Sequence, residues 1–586
     1  MKKVLVAFMC VFALVIGCVW GNTMMANGDS SIAVGATLSE DHVFTGIDEN
    51  GQIFIMDREE MEAQTAQEQK ESKSMEGISV GGVNDIQYGI VNFRTKSSAT
   101  QNTSYVDAYT GESGYTNGYY GADAAFLGYE NGKVKFMLAG VVGLVNGSDV
   151  QVLDGEAGDW YVSFYRCEQG VLKHYIRTSV YSTGYSSAYT VGEIQPYMKN
   201  NVVYFSYDGH YFYTDYNKML DDYRAETRKN SINPDDPYYN YYQFVSNRSK
   251  TTFTAQDINN YVKYYLGSKY TSSGTKMYEL GKYYIQYQNE YGANALSVFG
   301  VSANESAFGT SSIAQTKNNL FGHNAVDSDP GLANGYSSPQ NSIKDHAKYY
   351  VNLWYSTPKY STYHGSFLGD KASGMSSYAS DPYWGEKAAH WAWSLDFYTK
   401  DKTDVGNETL VFKDYGAVNV RKEPSTTSTV LYTTPASGNM SFILLEEVKG
   451  TTVSGSNVWY KIQLDTPLNS SRTAIDYSGD GYVFEKSYGY IHSSLLSKGV
   501  VGTDSGDKDD SDSNNGSESD SYLKGDVNGD GKVEADDYML IKLHVLKRQT
   551  LTGDYLKRAD VNNDGKIDAS DYMLIKLHVL GRQMLF

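Results

Sequence analysis

The segment EYGANALSVFGVSANESAFGTS, residues 290–311, lies near the middle of a chain of 586 residues and decides the nature of its central domain. Leu296, Phe299 and Ala303 recur at helical spacing, so they share one face of a predicted helix. Glu305 follows near the C-terminal end of that helix, among small residues. A carboxyl group half-buried among apolar groups has its charged form disfavoured, which raises its pKa and suits a general acid. A surface glutamate before a helix-ending glycine is the competing interpretation.

The sequence around this segment predicts an α-rich domain over residues 217–402. Apolar and aromatic residues recur there at spacings of three and four, which is typical of amphipathic helices. Thr254 or Asp257 is expected to cap the first of these helices. The pattern occurs in four stretches, 257–265, 277–285, 343–356 and 385–398.

Four motifs follow one another in this domain, and together they resemble a known enzyme family. The motifs are 305–311 (ESAFGTS), 317–322 (KNNLFG), 325–330 (AVDSDP) and 378–387 (YASDPYWGEK). In this order they resemble the bacterial endo-β-N-acetylglucosaminidases that cut peptidoglycan, glycoside hydrolase family 73, whose fold is lysozyme-like. The resemblance implies Glu305 as the catalytic acid and Tyr378 as a tyrosine of the catalytic groove. It also implies a substrate-binding groove floor made of Asn319, Leu320, Phe321 and Gly322, although Leu320 and Phe321 are expected to pack in the core as well.

The second catalytic group stays open at this level. Inverting hydrolysis needs a base about 6.5–9.5 Å from the acid, and retaining hydrolysis needs a nucleophile about 5–5.5 Å away. Asp327 and Asp329 are candidates, although Asp329 before Pro330 also fits a turn. In a third route the N-acetyl group of the substrate attacks, steadied by Tyr378 or an aspartate.

Aromatic residues and one further aspartate accompany the motifs. Trp384 is the candidate for substrate binding by stacking on a sugar ring, and Tyr350, Trp354 and Tyr383 are considered with it. Most of these rings are expected in the core. Asp381 precedes a proline and is expected to cap the following helix.

Two β-rich regions flank the helical domain. In residues 85–216, Tyr, Val, Phe and Gly alternate with polar residues, and Asp208-Gly209 predicts a hairpin between aromatic strands. This region loosely resembles a bacterial SH3-like module, which leaves wall binding and a packing platform as alternatives.

The second β-rich region is residues 408–499. The motifs VNVR (418–421) and WYKI (459–462) are similar to those of a bacterial SH3 domain, a β-barrel that binds wall peptides. An insertion over 466–481 departs from the short form of that domain. A simple spacer is the alternative reading of the region.

The last segment, 522–586, contains a repeated acidic loop. Oxygen-bearing side chains recur at loop positions 1, 3, 5, 9 and 12, a glycine at position 6 allows the sharp turn, and a lysine at position 7 offers its carbonyl. This spacing predicts two calcium sites. The ligands are Asp526, Asn528, Asp530, Lys532, Glu534 and Asp537 in the first loop, and Asp560, Asn562, Asp564, Lys566, Asp568 and Asp571 in the second.

One loop followed by one helix, duplicated, resembles a dockerin module. The resemblance implies a small α-helical, calcium-dependent domain that binds a cohesin domain. Position 12 is aspartate rather than the glutamate of an EF-hand, and entering helices are missing from the pattern, which disfavours a calcium sensor. By matching positions, the residues facing cohesin are Ala535, Asp536, Lys542, Leu543, Ala569, Ser570, Lys576 and Leu577.

The N-terminal residues 1–21 have the features of a secretory signal. Two lysines precede an apolar run that is too short to span a bilayer comfortably. Residues 15–18 also resemble a lipobox, so lipidation of Cys18 and ordinary cleavage remain alternatives, both implying export. Residues 22–84 read as a linker or propeptide, and the acidic tract 501–521 as a flexible linker.

Composition restricts the partners. Asp and Glu total 69 against 50 Lys and Arg, a net charge of −19, which argues against nucleic acid as the main partner. Three cysteines cannot form a disulfide scaffold, and only Cys167 is certain to remain after export. Taken together, the sequence predicts a secreted or wall-associated multidomain peptidoglycan hydrolase that uses no cofactor in catalysis. The alternatives are a non-catalytic wall-binding component and a lytic transglycosylase on the same fold.

Overall fold

The computed structural model describes most of the chain between residues 86 and 499. It also describes the backbone of 43–47 and 53–57. Gaps fall at 156, 182–186, 325–332, 374–378, 414–415, 436–438 and 454. The signal segment and the linker 501–521 lie outside the described residues. In the C-terminal segment the described residues are 524–527, 533, 537, 540–541, 544–545, 551, 554–561, 566–567, 571 and 574–575.

The N-terminal region is β-rich and contains two separate sheets after a short β1–β2 hairpin (Val43–Ile47, Ile53–Asp57). The first sheet has seven antiparallel strands in the order β5-β4-β8-β7-β6-β3-β9, and the second has four in the order β12-β11-β10-β13. The strands are β3 (Gly89–Asn92), β4 (Thr103–Asp107), β5 (Ser113–Thr116), β6 (Asp123–Glu130), β7 (Lys133–Leu138), β8 (Val141–Val145), β9 (Gln151–Asp154), β10 (Phe164–Glu168), β11 (Val171–Ile176), β12 (Ser187–Glu193) and β13 (Val203–Tyr204).

The predicted hairpin at Asp208-Gly209 is only partly formed. Gly209 has a φ of +74°, as a turn requires, but a single bridge between Phe205 and Tyr213 joins the two arms. The side chain of Asp208 accepts hydrogen bonds from the backbone N–H of His210, and the carbonyl of His210 then accepts from Tyr238. Apart from that bridge, the second arm therefore pairs with a later part of the chain.

An α-rich domain follows. Its described elements are α1 (Tyr216–Arg224), α2 (Tyr241–Phe244), α3 (Ala255–Leu266), α4 (Gly281–Tyr291), α5 (Ala295–Ser306), α6 (Ser312–Lys317), α7 (Pro339–Asp345), a π-helix (His346–Trp354) and α8 (Trp384–Thr399). Thr254 and Asp257 together form a capping box at α3, which confirms the predicted cap. Helix α4 begins at Gly281, four residues later than predicted, because the side chain of Asn259 accepts the N–H of Gly281.

The C-terminal β region packs on the same core as the helices. Its seven strands have the order β16-β15-β19-β18-β17-β14-β20. Phe412 of β14 stacks on Tyr239 at 3.9 Å between ring centroids and meets Phe244 edge-on. The strands are β14 (Leu410–Lys413), β15 (Asn419–Arg421), β16 (Val430–Thr433), β17 (Met440–Val453), β18 (Ser456–Gln463), β19 (Tyr488–His492) and β20 (Ser497–Lys498).

The insertion at residues 466–481 lies on the helical domain. Thr466 donates to the carbonyl of Ser356 at 2.7 Å, and Asp480 pairs with Lys348 at 3.1 Å. Just beyond it, the guanidinium of the buried Arg248 lies 4.0 Å from the ring centroid of Tyr482. The insertion that distinguishes this region from a short SH3-like domain therefore attaches the C-terminal sheet to the helices.

Described residues of the C-terminal segment join the apolar core of the four-stranded sheet. Helix α9 (Asp554–Ala559) lies next to that sheet, where the hydroxyl of Tyr555 donates to the carbonyl of Pro196. The shared cluster includes Leu172, Val191, Ile194, Met198, Val527, Leu540, Ile541, Leu551 and Ile575. Cys167 is buried in the same cluster.

Candidate active site

Glu305 lies in the last turn of α5, a helix that is buried on every side. The side chain of Asn294 caps its start by accepting the N–H groups of Leu296 and Ser297. All twelve residues of α5 are buried, so the apolar face seen in the sequence is part of a fully enclosed helix. The helix ends where Ala307 and then Phe308 adopt positive φ values of 50° and 56°. For residues other than glycine this conformation is strained, which is common beside functional groups.

The carboxyl of Glu305 is held by two nitrogen donors. The indole Nε1 of Trp384 donates to Oε1 at 2.7 Å, and the amide of Asn304 lies 3.4 Å from the same oxygen. Glu305 is only 5% exposed, and its burial raises the pKa of the carboxyl to about 8 against the lowering effect of those donors. At neutral pH the group is therefore protonated, as a general acid must be before it acts.

Two glycines allow the helix of Trp384 to pack closely on its neighbours, Gly300 on the helix of Glu305 and Gly385 on the loop at Gly369. A Cβ at Gly300 in α5 would lie 2.4 Å from the carbonyl oxygen of Ala388 in α8. A Cβ at Gly385, next to Trp384, would lie 1.9 Å from the carbonyl oxygen of Gly369. These close backbone approaches fix the position of the first turn of α8, and with it the indole.

Asp381 lies before α8 and forms a buried ion pair. One carboxylate oxygen accepts the N–H of Tyr383 at 2.8 Å, and the other contacts the ammonium of Lys387, both side chains being fully buried. The expected cap is therefore displaced, because the residue at the N-cap position is Tyr383 and it makes no side-chain cap. Asp381 instead anchors the first turn of α8, and its charge raises the pKa of Glu305 slightly further.

The predicted groove floor at residues 319–322 is an internally bonded loop. The side chain of Asn319 accepts the N–H groups of Phe321 and His323 and donates to the carbonyl of His323. Phe321 stacks on His346 at 4.1 Å, and Gly322 has a φ of +61°. Asn319 and Phe321 are each 1% exposed, so direct substrate contact through their side chains does not agree with the structure. They shape the loop from beneath.

The remaining predicted catalytic groups cannot be placed. Asp327, Asp329 and Tyr378 lie outside the described residues, in the gaps 325–332 and 374–378. Both gaps border the described site, one directly after the loop of Asn319 and the other shortly before Trp384. The second catalytic group therefore stays a prediction.

The side chain of Trp384, which the sequence suggested for stacking on a sugar ring, is buried beside Glu305. It is 4% exposed, and its indole N–H is committed to Glu305. Tyr350 and Tyr383 are buried, and Trp354 is half-buried, as expected for core aromatics. Nothing local in the sequence indicates the Trp384–Glu305 bond, since 79 positions separate the two residues.

The N-terminal sheets pack against the segment that carries Trp384. Nδ1 of His174, in β11, lies 2.8 Å from the Glu386 carboxylate, and the ammonium of Lys371 donates to the carbonyl of Tyr115 at 3.2 Å. Nearby, the N–H of Asn117 donates to the carbonyl of Ser380 at 3.0 Å. These contacts favour the packing platform over the wall-binding alternative for residues 85–216.

Three of the four described carboxylates of the two acidic loops are buried, and the fourth, Asp560, is half-buried. Asp537 and Asp571 are fully buried, and each accepts a backbone N–H, from Val527 at 2.7 Å and from Val561 at 3.0 Å. Asp526 is 5% exposed. Buried oxygens at loop positions 1 and 12 fit a hard cation such as calcium. The residues at positions 3, 5 and 9 of both loops lie outside the described part of the chain.

Among all described residues, those of the acidic loops included, no group of three His, Cys, Asp or Glu side chains is close enough to hold a metal ion. None of the helices described there is long and apolar enough to cross a membrane.

Comparison with known proteins identifies two regions. Residues 281–396 match the family model described as mannosyl-glycoprotein endo-beta-N-acetylglucosaminidase, and residues 524–580 match the dockerin type I domain. Two proteins from different strains of Streptococcus pneumoniae, each bearing the name endo-beta-N-acetylglucosaminidase, are 27% identical over 261 residues. The match covers 44% of this chain and 33% and 31% of theirs, so the chain spans about a third of their length.

Solved structures of S. aureus autolysin E were also found. The protein itself is 20% identical, and its catalytic mutant in complex with the disaccharide NAG-NAM is 19% identical. Each alignment covers 27% of this chain and 73% of the other, with a TM-score of 0.22.

Proposed function

We propose that this chain, a glycoside hydrolase with a glucosaminidase domain and a dockerin type I domain, is an exported peptidoglycan hydrolase. It cleaves β-1,4 glycosidic bonds of the glycan strand on the N-acetylglucosamine side. Its dockerin tethers it to a cohesin-bearing protein in a calcium-dependent way. The observation that carries the proposal is the buried carboxyl of Glu305, protonated at neutral pH and held by an indole N–H.

Glu305 acts as the general acid. Its proton passes to the glycosidic oxygen as the bond to the sugar breaks and positive charge develops on the ring. A positioned acid of this kind contributes about 10²- to 10⁴-fold to the rate. The pKa of about 8 keeps the carboxyl protonated at pH 7 and still allows it to give up the proton.

The second group comes from the loops on either side of the acid. Asp327 or Asp329 would serve as base or nucleophile, or the N-acetyl group of the substrate would attack while Tyr378 steadies it. At the site, the loop of residues 319–322 supports the bound glycan strand, which rests on Gly322. The seven-stranded sheet within residues 408–499 adds affinity for wall peptides.

The acidic loops of the tail hold calcium. Carboxylate and amide oxygens converge on each ion, and the backbone carbonyls of Lys532 and Lys566 complete the set. The ion neutralises the clustered negative charge and orders the loops. The two following helices then present Lys542, Leu543 and their counterparts Lys576 and Leu577 to cohesin.

Export follows from the signal-like residues 1–21. Lipidation at Cys18 would keep the enzyme at the membrane surface, and ordinary cleavage would release it to the wall.

Replacing the acid tests the proposal. Glu305→Gln preserves shape and hydrogen bonding but cannot give up a proton, so clearing of purified cell walls should fall by about 10³-fold. Glu290→Gln, on the exposed surface of α4, is the matched control and should clear walls at the wild-type rate. A Glu305→Gln protein that folds and still clears walls would refute the assignment.

Mass spectrometry of soluble products separates the alternatives. A new reducing N-acetylglucosamine end supports the hydrolase, and a 1,6-anhydro muramic end indicates a lytic transglycosylase. Binding to walls without any released sugar indicates a non-catalytic component.

A further inference from the structure

Glu305 receives its closest hydrogen bond on one particular oxygen. The indole Nε1 of Trp384 and the more distant amide of Asn304 both point at Oε1, and neither bonds Oε2. An indole N–H can donate but cannot accept. When the carboxyl is protonated, Oε1 must therefore be the carbonyl-like oxygen, because a proton on it would meet the hydrogen of Trp384.

We propose that Trp384 is a positioning residue that holds the acid's transferable proton on Oε2 and fixes the direction in which it is delivered. The inference rests on the proposed role of Glu305 as general acid. Trp384 itself is not required to touch the substrate. Its function is to select one of the two oxygens, as the partner of a catalytic histidine selects one ring nitrogen.

The surroundings of Trp384 are built to keep its indole in place. Gly385 lies so close to the carbonyl of Gly369 that a side chain there would collide with backbone. One residue further, Glu386 is held by His174 of the four-stranded sheet, and Lys387 is held by Asp381. The first turn of α8 is thus fixed from three directions, which a merely space-filling tryptophan would not need.

The indole also opposes the effect of burial on the acid. Donation by Trp384 stabilises the ionised form of Glu305 and lowers its pKa, while desolvation raises it. Removing the donor should therefore move the pKa of Glu305 upward. Loss of packing alone would let water in and move it downward, toward the ordinary value.

The first experiment compares Trp384→Phe with Trp391→Phe in the full-length chain. Trp391 lies on the same helix, is 5% exposed, and its indole nitrogen has no hydrogen-bond partner among the described residues. Trp384→Phe should lower kcat on cell walls by about 10- to 100-fold at pH 6 through misdirection of the proton. It should also move the alkaline limb of kcat to higher pH with little change in KM, and Trp391→Phe should move neither. An unmoved or lowered limb in Trp384→Phe overturns the inference.

A second measurement does not depend on activity. In wild-type protein labelled with ¹⁵N at its tryptophans, one indole N–H signal should titrate with a midpoint near the pKa of Glu305. That signal should be the one lost in Trp384→Phe, and its titration should vanish in Glu305→Gln. If no indole signal follows this titration, the inference fails. This result is separate from wall clearing by Glu305→Gln, which tests the proposed function itself.

Discussion

Glu305 in the helical domain and Asp537 in the C-terminal tail are both carboxylates that the fold removes from water, at 5% and 0% exposure, but their partners differ in kind. Glu305 lies among apolar side chains at the end of an enclosed helix and receives the indole N–H of Trp384. Asp537 receives the backbone N–H of Val527, from the beginning of its own acidic loop. The first environment stores a proton. The second is suited to an ionised carboxylate that shares a cation with its neighbours.

Asp381 is an intermediate case in the helical domain. It is as deeply buried as Asp537, but the ammonium of Lys387 takes the place of a metal ion. The three carboxylates indicate that burial alone does not set the role of an acidic residue. Its nearest donor decides whether the group keeps its proton, pairs with a cation or binds a metal.

The largest difference between the two regions should appear in catalysis. Glu305→Gln should reduce wall clearing by about 10³-fold, equivalent to about 4 kcal/mol in the barrier. Asp537→Asn should leave the release of soluble fragments within about twofold of wild type, because the tail supplies no group to the reaction. Equal losses in both variants would mean that the tail takes part in catalysis and would break the comparison.

Removing the partner of Asp381 should produce the next largest effect, on stability. Lys387→Met keeps the length of the side chain but leaves a buried carboxylate without its cation, which costs about 3–5 kcal/mol. Lys498→Met is the control, because its pairing with Glu447 is about half exposed and is worth less than about 1 kcal/mol. Urea unfolding monitored by circular dichroism measures both. Similar midpoints for the two variants would contradict the assigned importance of the Asp381 pair.

Sequence patterns predicted the parts of this arrangement that are local. The capping box of Thr254 and Asp257 spans one helical turn, and the position of Glu305 near the end of its helix follows from the apolar spacing before it. Contacts between distant positions could not be predicted in this way. The Trp384–Glu305 bond depends on two close backbone approaches, of Gly300 to α8 and of Gly385 to the loop at Gly369, which no periodicity reveals.

Backbone geometry limited the sequence predictions in a second way. The helix predicted over 343–356 is present, but from His346 to Trp354 it has π geometry, which places His346 against Phe321. The spacing of apolar residues in a sequence cannot distinguish an α-helix from a π-helix. The predicted hairpin at Asp208 was partly wrong, because the carbonyls of His210 and Phe212 in its second arm accept hydrogen bonds from a later part of the chain, residues 232–238.

The pH dependence of the free energy of unfolding is a smaller effect. It should distinguish Glu305, which keeps its proton, from Asp537. The folded protein keeps the Glu305 proton up to a pKa of about 8, whereas an unfolded chain loses it near the ordinary glutamate pKa of 4.5. Between these values the folded state binds more protons, so the free energy of unfolding should fall as pH rises from about 4.5 to about 8.

Glu305→Gln removes the contribution of this carboxyl and leaves those of Glu408 and Asp465, whose pKa values burial raises to about 7. Relative to wild type, the variant should gain about 2 kcal/mol of stability between pH 5 and pH 8, less than the full shift would give, because an ionised site admits some water. Parallel urea midpoints across this range for wild type and variant would mean that the carboxyl is not held protonated.

The smallest expected effect concerns the tail. Asp537→Ala removes one ligand of the first loop and the acceptor of the Val527 N–H, so calcium affinity should fall about 10-fold, or about 1.4 kcal/mol. Calorimetric titration of the full-length chain with calcium measures this loss, and Asp476→Ala, at a half-buried aspartate turn outside the acidic loops, is the control. Calcium should raise the helical circular dichroism signal of wild type more than that of Asp537→Ala. Because Asp537 needs a cation and Glu305 needs a proton, chelation should leave the pH profile of wall clearing unchanged, and a profile that shifts with calcium would show that the two buried carboxylates are coupled.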